Sequence, residues 1–492
     1  MDTIMQHAGS ALHNHHPERI LQIGEGNFLR AFADWMINSI NNENGAYEGS
    51  IVLCQPTPRG HIERFAAQNC LYNVAMRGLV DGKPTETIDL ITSVSRCINP
   101  YSDYAAFLAL ARSENLQVVI SNTTEAGISY DANAVYDGTP QPSYPAKLTA
   151  FLYERYLAFH GDAKRGLLIL PCELIDENGT KLREIVLRHV QDWSLEAGFV
   201  QWLNEANQFA NTLVDRIVTG FPREQISLYD QKLGYRDELL VTCEPFDLWV
   251  IEADEKWKEI FPIEKGKGNV IWTDNVAPYK QRKVRLLNGG HTATALAAYL
   301  AGHDTVCDFM RDPLFHSFLT QYLFRDTLPT LDLPQVLLKS FASAVLERFS
   351  NPYIKHRLLD ISLNSISKFS ARCLPTMFEY FDRFGTLPGC VVFGLAALIR
   401  FYDVVKTEDG YVGHREDGSA YPVRDDEKNL EFFCEVWKSR DLDAVVRAAL
   451  SNAALWGGCD LSQIPELATK VGAQLHQIEE IGIRIAIGAI SR

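Results

Sequence analysis

Residues 20–30 read ILQIGEGNFLR. A short apolar run ends at Gly24, the triplet Gly24-Glu25-Gly26 follows, and Asn27 to Ile40 then carries apolar residues at helical spacing (Phe28, Phe32, Trp35, Met36, Ile40). A strand running into GxG and then into a helix is the context in which a backbone can cradle a pyrophosphate. Glycine lets the chain turn and approach the phosphates, and the first helical N–H groups point at them. The third glycine of that fingerprint is replaced by Leu29, so a plain strand–helix turn remains the alternative. The next strand, SIVLCQ (50–55), runs into Pro56, Thr57, Pro58 and Arg59. No carboxylate stands there to select the ribose hydroxyls. Charge at this point therefore does not decide between NAD and NADP as the dinucleotide. A third strand, QVVIS (117–121), ends in Asn122-Thr123-Thr124-Glu125-Ala126-Gly127. Polar residues at the carboxyl end of such a strand face a ligand in a doubly wound sheet, or Thr123 or Thr124 simply caps a helix.

Outward from these stretches the first half keeps alternating. Strand-like runs lie at 88–94 and at GLLILP (166–171), and helical ones at 104–111, 144–159 and 181–197. Strands alternating with helices imply a parallel sheet covered on both faces. From about Pro278 the segments become long, helical and rich in Ala and Leu: 291–301, 334–349, 356–369, 391–402, 430–450 and 462–486. The stretch 406–425 is polar and reads as an exposed loop or small hairpin. The expected division is an α/β domain over 1–280 and a mostly α-helical domain over 281–492. A chain of 492 residues is too long for one core. Its 47 Lys plus Arg against 62 Asp plus Glu give a net charge of −15, which disfavours nucleic acid as a partner. The longest nearly uncharged stretch, 385–399, contains Pro388 and is short of a membrane span. The first twenty residues lack a signal-like apolar core, and ten cysteines are dispersed without a CxxC pair. Both features point to a cytoplasmic protein with reduced thiols. No metal is expected. His13, His15 and His16 cluster in the N-terminal segment but make a weak ligand set. Apolar helices suit both a core and an interface, so the oligomeric state stays open.

Residues 278–294 read PYKQRKVRLLNGGHTAT. Lys283, Asn288 and His291 are polar groups in a segment that turns apolar. On one α-helix they would spread over roughly 140°, at about 100° per residue, so a bend at Gly289-Gly290 is expected to bring them together. Lys283 lies between Arg282 and Arg285, and like charges lower a lysine's pKa. Such a lysine suits proton transfer, an asparagine can hold a developing alkoxide, and a histidine can orient the substrate. The alternative is a basic loop followed by a core histidine.

On these residues the chain resembles the mannitol dehydrogenase, or long-chain polyol dehydrogenase, family nearly end to end. The resemblance is carried by GEGNFLRAF (24–32), TLVDRIVTG (212–220), KVRLLNGGH (283–291) and RFSNPYIKH (348–356), and further by SNTTEAGISY (121–130), SYPAKLT (143–149) and PCELID (171–176). It implies a Rossmann-type N-terminal domain, a helical C-terminal domain, a site in the cleft between them, and zinc-independent hydride transfer with NAD. It assigns Lys283 as general acid/base, with Asn288 and His291 as its alkoxide-stabilising and substrate-binding partners. Gly24, Gly26, Asn27, Phe28 and Arg30 fall in its cofactor loop, joined by Asn122, Thr123, Thr124 and Glu125. Val214 and Asp215 fall beside the nicotinamide half. The implied reaction interconverts a sugar acid pair, D-tagaturonate and D-altronate. Fructuronate/mannonate or a mannitol-type polyol is the near alternative, and a non-catalytic NAD- or sugar-acid-sensing protein the distant one. One departure stands out: polyol-oxidising relatives carry asparagine after the Cys-Asp pair, and here Cys172-Glu173 is followed by Leu174.

A uronate pocket needs a cation for the carboxylate. The stretch 348–373 offers Arg348, His356, Lys368 and Arg372, with Asn351 as a polar neighbour. Lys368 lies twelve residues after His356, nearly one face of a helix, and Lys368 and Arg372 are four apart. A solvated basic face is the alternative, and Asn351 before Pro352 could serve only as a cap.

Overall fold

The opening motif builds the centre of a sheet. β1 (Glu18–Ile23) lies between β2 (Ser50–Cys54) and β4 (Val118–Ser121). β3 (Val94–Ile98) flanks β2, and β5 (Leu168–Pro171) and β6 (Gln208–Phe209) continue beyond β4. Every neighbouring pair is parallel, in the order 3-2-1-4-5-6, the doubly wound arrangement in which ligands lie where the strand order reverses, between β1 and β4. The structure, a computed structural model, describes residues 2–4, 16–43 and 45–490; His13 and His15 lie outside them. Two compact units divide the chain. One takes in the chain up to Gly78 together with Pro84–Val276, the other Leu79–Lys83 together with the chain from Ala277 onward.

Alternation along the strands explains the two-sided core of the first unit. Successive side chains point to opposite faces. Ile20, Ile51 and Leu53 pack into one apolar cluster with Phe32, Trp35 and Trp249, while Leu21, Ile23, Val52 and Cys54 pack into another with Phe107, Phe151 and Phe199. The chain after Gly26 is not one helix. Asn27–Arg30 ends at Ala31, and a second helix runs Ala33–Glu43. The strand expected over 88–94 is two strands, Lys83–Ile91 and Val94–Ile98, parted at Thr92-Ser93. Two further sheets lacked any periodic signal. One joins Val218–Gly220, Val241–Cys243, Tyr72–Val80 and Lys83–Ile91, and the other Asn211–Asp215, Leu248–Glu252 and Val270–Thr273.

The second unit is helical. The buried helix Gly289–Leu300 packs on Gly389–Phe401, and that helix on Leu467–Ile481. A Cβ on Gly394 would stand 3.0 Å from the Ala293 carbonyl oxygen, so glycine sets that close crossing. Three long expected helices are each broken in two, by a left-handed residue at Asn364 (φ +54°), Arg440 (φ +53°) and Gly482 (φ +83°). Strands Val404–Thr407, Gly410–His414 and Ala420–Val423 form the small antiparallel sheet where a loop or hairpin was expected. Among the described residues no helix is long and apolar enough to cross a membrane.

Gly24 fixes the β1 turn. Its φ is +123°, and a Cβ there would lie 2.6 Å from the Asn122 carbonyl oxygen. Its N–H donates to the Cys54 carbonyl at 3.0 Å, and Asn122 N–H donates to the Ile23 carbonyl at 3.1 Å. Gly24→Ala is expected to destabilise the first unit by about 1–3 kcal/mol, a strained backbone for a residue with a Cβ, read as a lower midpoint in denaturant unfolding.

Candidate functional site

The GxG loop is held from three sides. A Cβ on Gly26 would meet no heavy atom within 4 Å, so packing does not demand glycine there, whereas a phosphate lying over the helix N-terminus would. Asn27 is exposed and Phe28 half-buried, with the Phe28 ring stacked on Phe32 at 4.9 Å. Arg30 is turned inward. It bonds the Leu239 carbonyl and the Asn27 side chain, and its guanidinium lies 5.6 Å from the Phe65 ring and 5.7 Å from that of Tyr72. Arg216, inside the VDRI stretch, donates to the Ala31 carbonyl (2.7 Å), where the GxG helix ends, and to the Glu244 carbonyl (3.0 Å). That arginine was part of a quoted motif, yet nothing in the sequence showed that it ties the motif to the GxG helix. Val214 and Asp215 are buried at the end of strand Asn211–Asp215, paired with Trp249 and Leu248.

The loop after β4 is shaped by a carboxylate. Glu173, 2% exposed, accepts hydrogen bonds from Ser121 Oγ (3.1 Å), Thr123 N–H (2.9 Å) and Thr123 Oγ1 (3.0 Å). Burial holds its pKa above the usual carboxylate value, and these donors only partly oppose that shift. Asn122 reaches the Cys172 carbonyl at 2.9 Å. Thr124 and Glu125 are exposed. Thr124 has φ +74° and ψ +167°, a region essentially reserved for glycine. Thr123, Thr57, Pro56 and Tyr144 line a cavity of about 550 Å³ at this edge of the sheet, which suits a nucleoside in volume and position. Leu174, in the place of the asparagine of polyol-oxidising relatives, is 62% exposed.

In the second unit, Lys283, Asn288 and His291 lie on a single uninterrupted helix. Ala277–Arg282 passes into a π-helical turn, Lys283–Asn288, and on into Gly289–Leu300. The expected bend at Gly289-Gly290 is absent. Gly289 is helical (φ −65°, ψ −41°), and its N–H reaches back five residues to the Val284 carbonyl. A π-turn bonds residues i and i+5 and holds more residues per turn than an α-helix, so Lys283 and Asn288 lie closer to one face than the roughly 140° of an α-helix would allow. His291 follows Asn288 by three, a neighbour on an α-helix. The glycines serve packing. A Cβ on Gly289 would stand 2.2 Å from the Tyr322 hydroxyl, which donates to the Arg285 carbonyl at 2.9 Å. Tyr322 opens a second π-turn, Tyr322–Thr327. The arginines beside Lys283 have their own partners. Arg282 lies over the Phe341 ring at 4.4 Å, and Arg285 meets the Thr330 carbonyl at 3.3 Å.

Cations gather around His291. Its ring stacks on Phe349 (3.8 Å between centroids, 17°) and meets His356 edge-on at 4.9 Å. Burial drives its pKa well below the usual histidine value. The charges of His356, Arg348, Arg372 and Lys368 add to that push, so the ring is neutral at physiological pH. These groups come from separate elements, not one helix face. Arg348 is in the last turn of Gln335–Phe349. His356 precedes the helix Leu358–Ile361, its carbonyl accepting from Val306 N–H at 3.0 Å. Lys368 and Arg372 share Ser365–Arg372. Arg372 reaches Thr292 Oγ1 at 3.3 Å, beside His291, and Lys368 Nζ reaches the Ile361 carbonyl at 3.0 Å. Burial lowers the pKa of both, and each lowers it further for a neighbour: Arg372 for Lys368, and Lys368 for His356. Asp360 and Asp425 are the opposing carboxylates, and Asp425 is bonded to Tyr402, Asn429 and the Ile366 N–H. Asn351 is 2% exposed and accepts from Tyr353 N–H at 3.0 Å, a turn cap beside the cluster. Among the described residues no group of three or more His, Cys, Asp or Glu could hold a metal ion.

Comparisons with known proteins identify the family. Residues 18–265 match the Mannitol dehydrogenase Rossmann domain and residues 275–479 the Mannitol dehydrogenase C-terminal domain. The chain belongs to the mannitol dehydrogenase family and is an oxidoreductase. It is 44% identical to altronate oxidoreductases from Shigella flexneri and Escherichia coli O1:K1 / APEC, over 96% of each chain. The fold is similar to that of a substrate-free D-sorbitol dehydrogenase (TM-score 0.78, 22% identity, 96% of this chain and 95% of that one). It is also similar to Pseudomonas fluorescens mannitol 2-dehydrogenase in ternary complex with NAD and D-mannitol (TM-score 0.64, 22% identity, 97% and 94%).

If Gly289 is there to admit the Tyr322 hydroxyl, Gly289→Ala will lower both stability and turnover, and adding Tyr322→Phe will restore part of each. Thermal unfolding and steady-state rates of the two single variants and the double variant measure this. Additive losses in the double variant would contradict it.

Proposed function

We propose that the chain reduces D-tagaturonate to D-altronate with NADH, and runs the reverse with NAD, as a cytoplasmic step of hexuronate breakdown. The observation that carries this reading is the gathering of Arg348, Lys368 and Arg372, with His356 beside them, around a neutral His291, in a chain 44% identical to altronate oxidoreductases. A neutral polyol has no use for such a cluster, whereas a uronate carboxylate does.

Gly24, Gly26, Asn27 and the loop 122–125 would hold the cofactor, with Arg30 and Arg216 fixing the helix beneath it. The positive φ of Gly24 and the open space over Gly26 fit a pyrophosphate lying against the backbone. Bound NADH supplies the hydride. Lys283 delivers the proton to the carbonyl oxygen as negative charge develops there, and takes it back in the reverse direction. Asn288, one π-turn along, donates a hydrogen bond to that oxygen. His291, kept neutral, orients the substrate through hydrogen bonding and adds no charge of its own. Arg372 and Lys368 hold the carboxylate, which fixes the far end of the sugar and sets the reacting carbon.

Lys283→Ala is expected to lower kcat by about 10²–10⁴-fold with NADH affinity near wild type. Arg372→Leu should raise KM for tagaturonate by about 10–100-fold, the loss of a charge-assisted hydrogen bond, while any activity on the neutral ketose fructose changes little. NADH absorbance with tagaturonate, fructuronate and fructose in parallel, repeated with NADPH, tests substrate and cofactor together. Turnover of fructose alone would sink the sugar-acid reading, and near-normal turnover by Lys283→Ala would sink the proton-transfer role.

A further inference from the structure

Thr124 is a β-branched residue in a backbone region that favours glycine, with φ +74° and ψ +167°. Such strain persists only where surrounding contacts over-determine it, and it clusters at ligand clamps. The contacts that hold the residues before it converge on one group. Glu173, just beyond the carboxyl end of β5, takes three hydrogen bonds from Ser121 and Thr123, all within 3.1 Å. The main chain of Thr123 is therefore pinned by its N–H and its side chain by its hydroxyl. The same hydroxyl packs against Gly127, where a Cβ would come within 2.0 Å of it. The loop is closed on both sides of Thr124, and Thr124 has no freedom to relax. Glu173 itself is anchored from behind. Asn178 Nδ2 donates to its carbonyl (3.2 Å) and to the Pro171 carbonyl (2.9 Å), and Asn178 Oδ1 accepts from Thr212 N–H at 2.9 Å. A carboxylate 2% exposed that makes no ion pair among these contacts, and spends its oxygens on one loop, is poorly explained by stability alone. Its effect is to hold the Asn122–Glu125 backbone in a shape the sequence would not otherwise adopt, at the edge of the cavity lined by Thr57, Thr123 and Tyr144.

We propose that Glu173 is a positioning residue for the cofactor, clamping the loop after β4 so that Thr124 is held in a strained conformation presenting the loop backbone to the dinucleotide. This rests on the reading of the first unit as the NAD-binding unit. Glu173 touches neither substrate nor reacting atoms. Its influence passes through Thr123 and Thr124, and it should therefore be felt in cofactor affinity and be coupled to the strain.

The test is a double-mutant cycle read by NADH fluorescence titration and thermal unfolding of the full chain, with Glu173→Gln, Thr124→Gly and the double variant. Glutamine keeps the shape of Glu173 but sets an amide N–H₂ or a weaker acceptor against the Thr123 donors. Glu173→Gln should weaken NADH binding about tenfold. Thr124→Gly, which adopts the same backbone without strain, should unfold at the same temperature or higher, and its own NADH affinity is the reference for the double variant. In the Thr124→Gly background the further change Glu173→Gln should weaken binding by less than about threefold, because the clamp no longer has strain to hold. Unchanged NADH affinity in Glu173→Gln, with only its unfolding temperature lowered, would overturn the proposal. Multiplicative losses in the double variant, or a Thr124→Gly protein that melts well below the wild type, would do the same. Thr124→Gly keeps the test open should Glu173→Gln fail to fold. A wild type that binds no NADH would instead overturn the cofactor reading beneath it.

Discussion

The candidate site of the second unit depends on one π-turn, Lys283–Asn288, whose last displaced hydrogen bond runs from Gly289 N–H to the carbonyl five residues back at Val284. An α-helix would have joined Gly289 to Arg285. Shifting the bond by one residue leaves the Arg285 carbonyl for another donor, and the Tyr322 hydroxyl takes it. That approach is possible only because residue 289 has no side chain. The wide turn, the glycine and the tyrosine thus form one unit. The turn sets the relative facing of Lys283 and Asn288, and the helix beyond it carries His291 to the face of Phe349.

The two units achieve precision by opposite means. In the first, backbone is forced into rare conformations at Gly24 and Thr124 and held there by close contact with Asn122 and by the Glu173 carboxylate. In the second, the backbone stays helical and the precision lies in charge. Arg348, Lys368 and Arg372, from two helices, lie near an imidazole that they and its burial keep unprotonated. The arrangement leaves the ring free of charge while an excess of positive potential remains beside it, a combination that favours an anion without requiring histidine to supply the cation.

How much of this was legible follows the reach of each physical signal. The doubly wound sheet was readable because β1, β2, β4 and β5 are buried on both faces and appear as unbroken apolar runs. The sheets built from 72–91 and 211–273 were not, since they mix parallel and antiparallel pairs, several of their strands have only three to five residues, and Lys83–Ile91 and Val270–Thr273 are partly exposed. The long helices of the second unit were recognisable by composition, but their breaks at Asn364 and Arg440 were not, because a single left-handed residue leaves no periodic trace. Lys283, Asn288 and His291 were singled out by residue type and by the family resemblance, while the local geometry was misjudged. A period of about 100° per residue with a bend at Gly289-Gly290 was expected of a stretch that forms a π-turn, and a shift in backbone bonding of that kind leaves no trace in residue spacing. His356 and Lys368 were read as nearly one helix face, and the structure puts them on separate elements, while Lys368 and Arg372 share a helix as expected and Arg372 reaches Thr292. Glu173 and Arg216 sat in plain view inside quoted motifs. Their roles are long-range hydrogen bonds, which no local pattern encodes.

The π-turn also divides the labour of its helix. Downstream of it, Gly289–Leu300 is locked in place by its crossing with Gly389–Phe401, where Gly394 lies against the Ala293 carbonyl. Upstream, Arg282 is held separately by the Phe341 ring. The wide turn is the joint between two independently fixed rods, and it absorbs the one-residue mismatch in their phases. What such a joint conserves is a count. The number of residues from Lys283 to His291 is set by the geometry at both ends, while the apolar side chains within the interval are free to differ so long as they still pack.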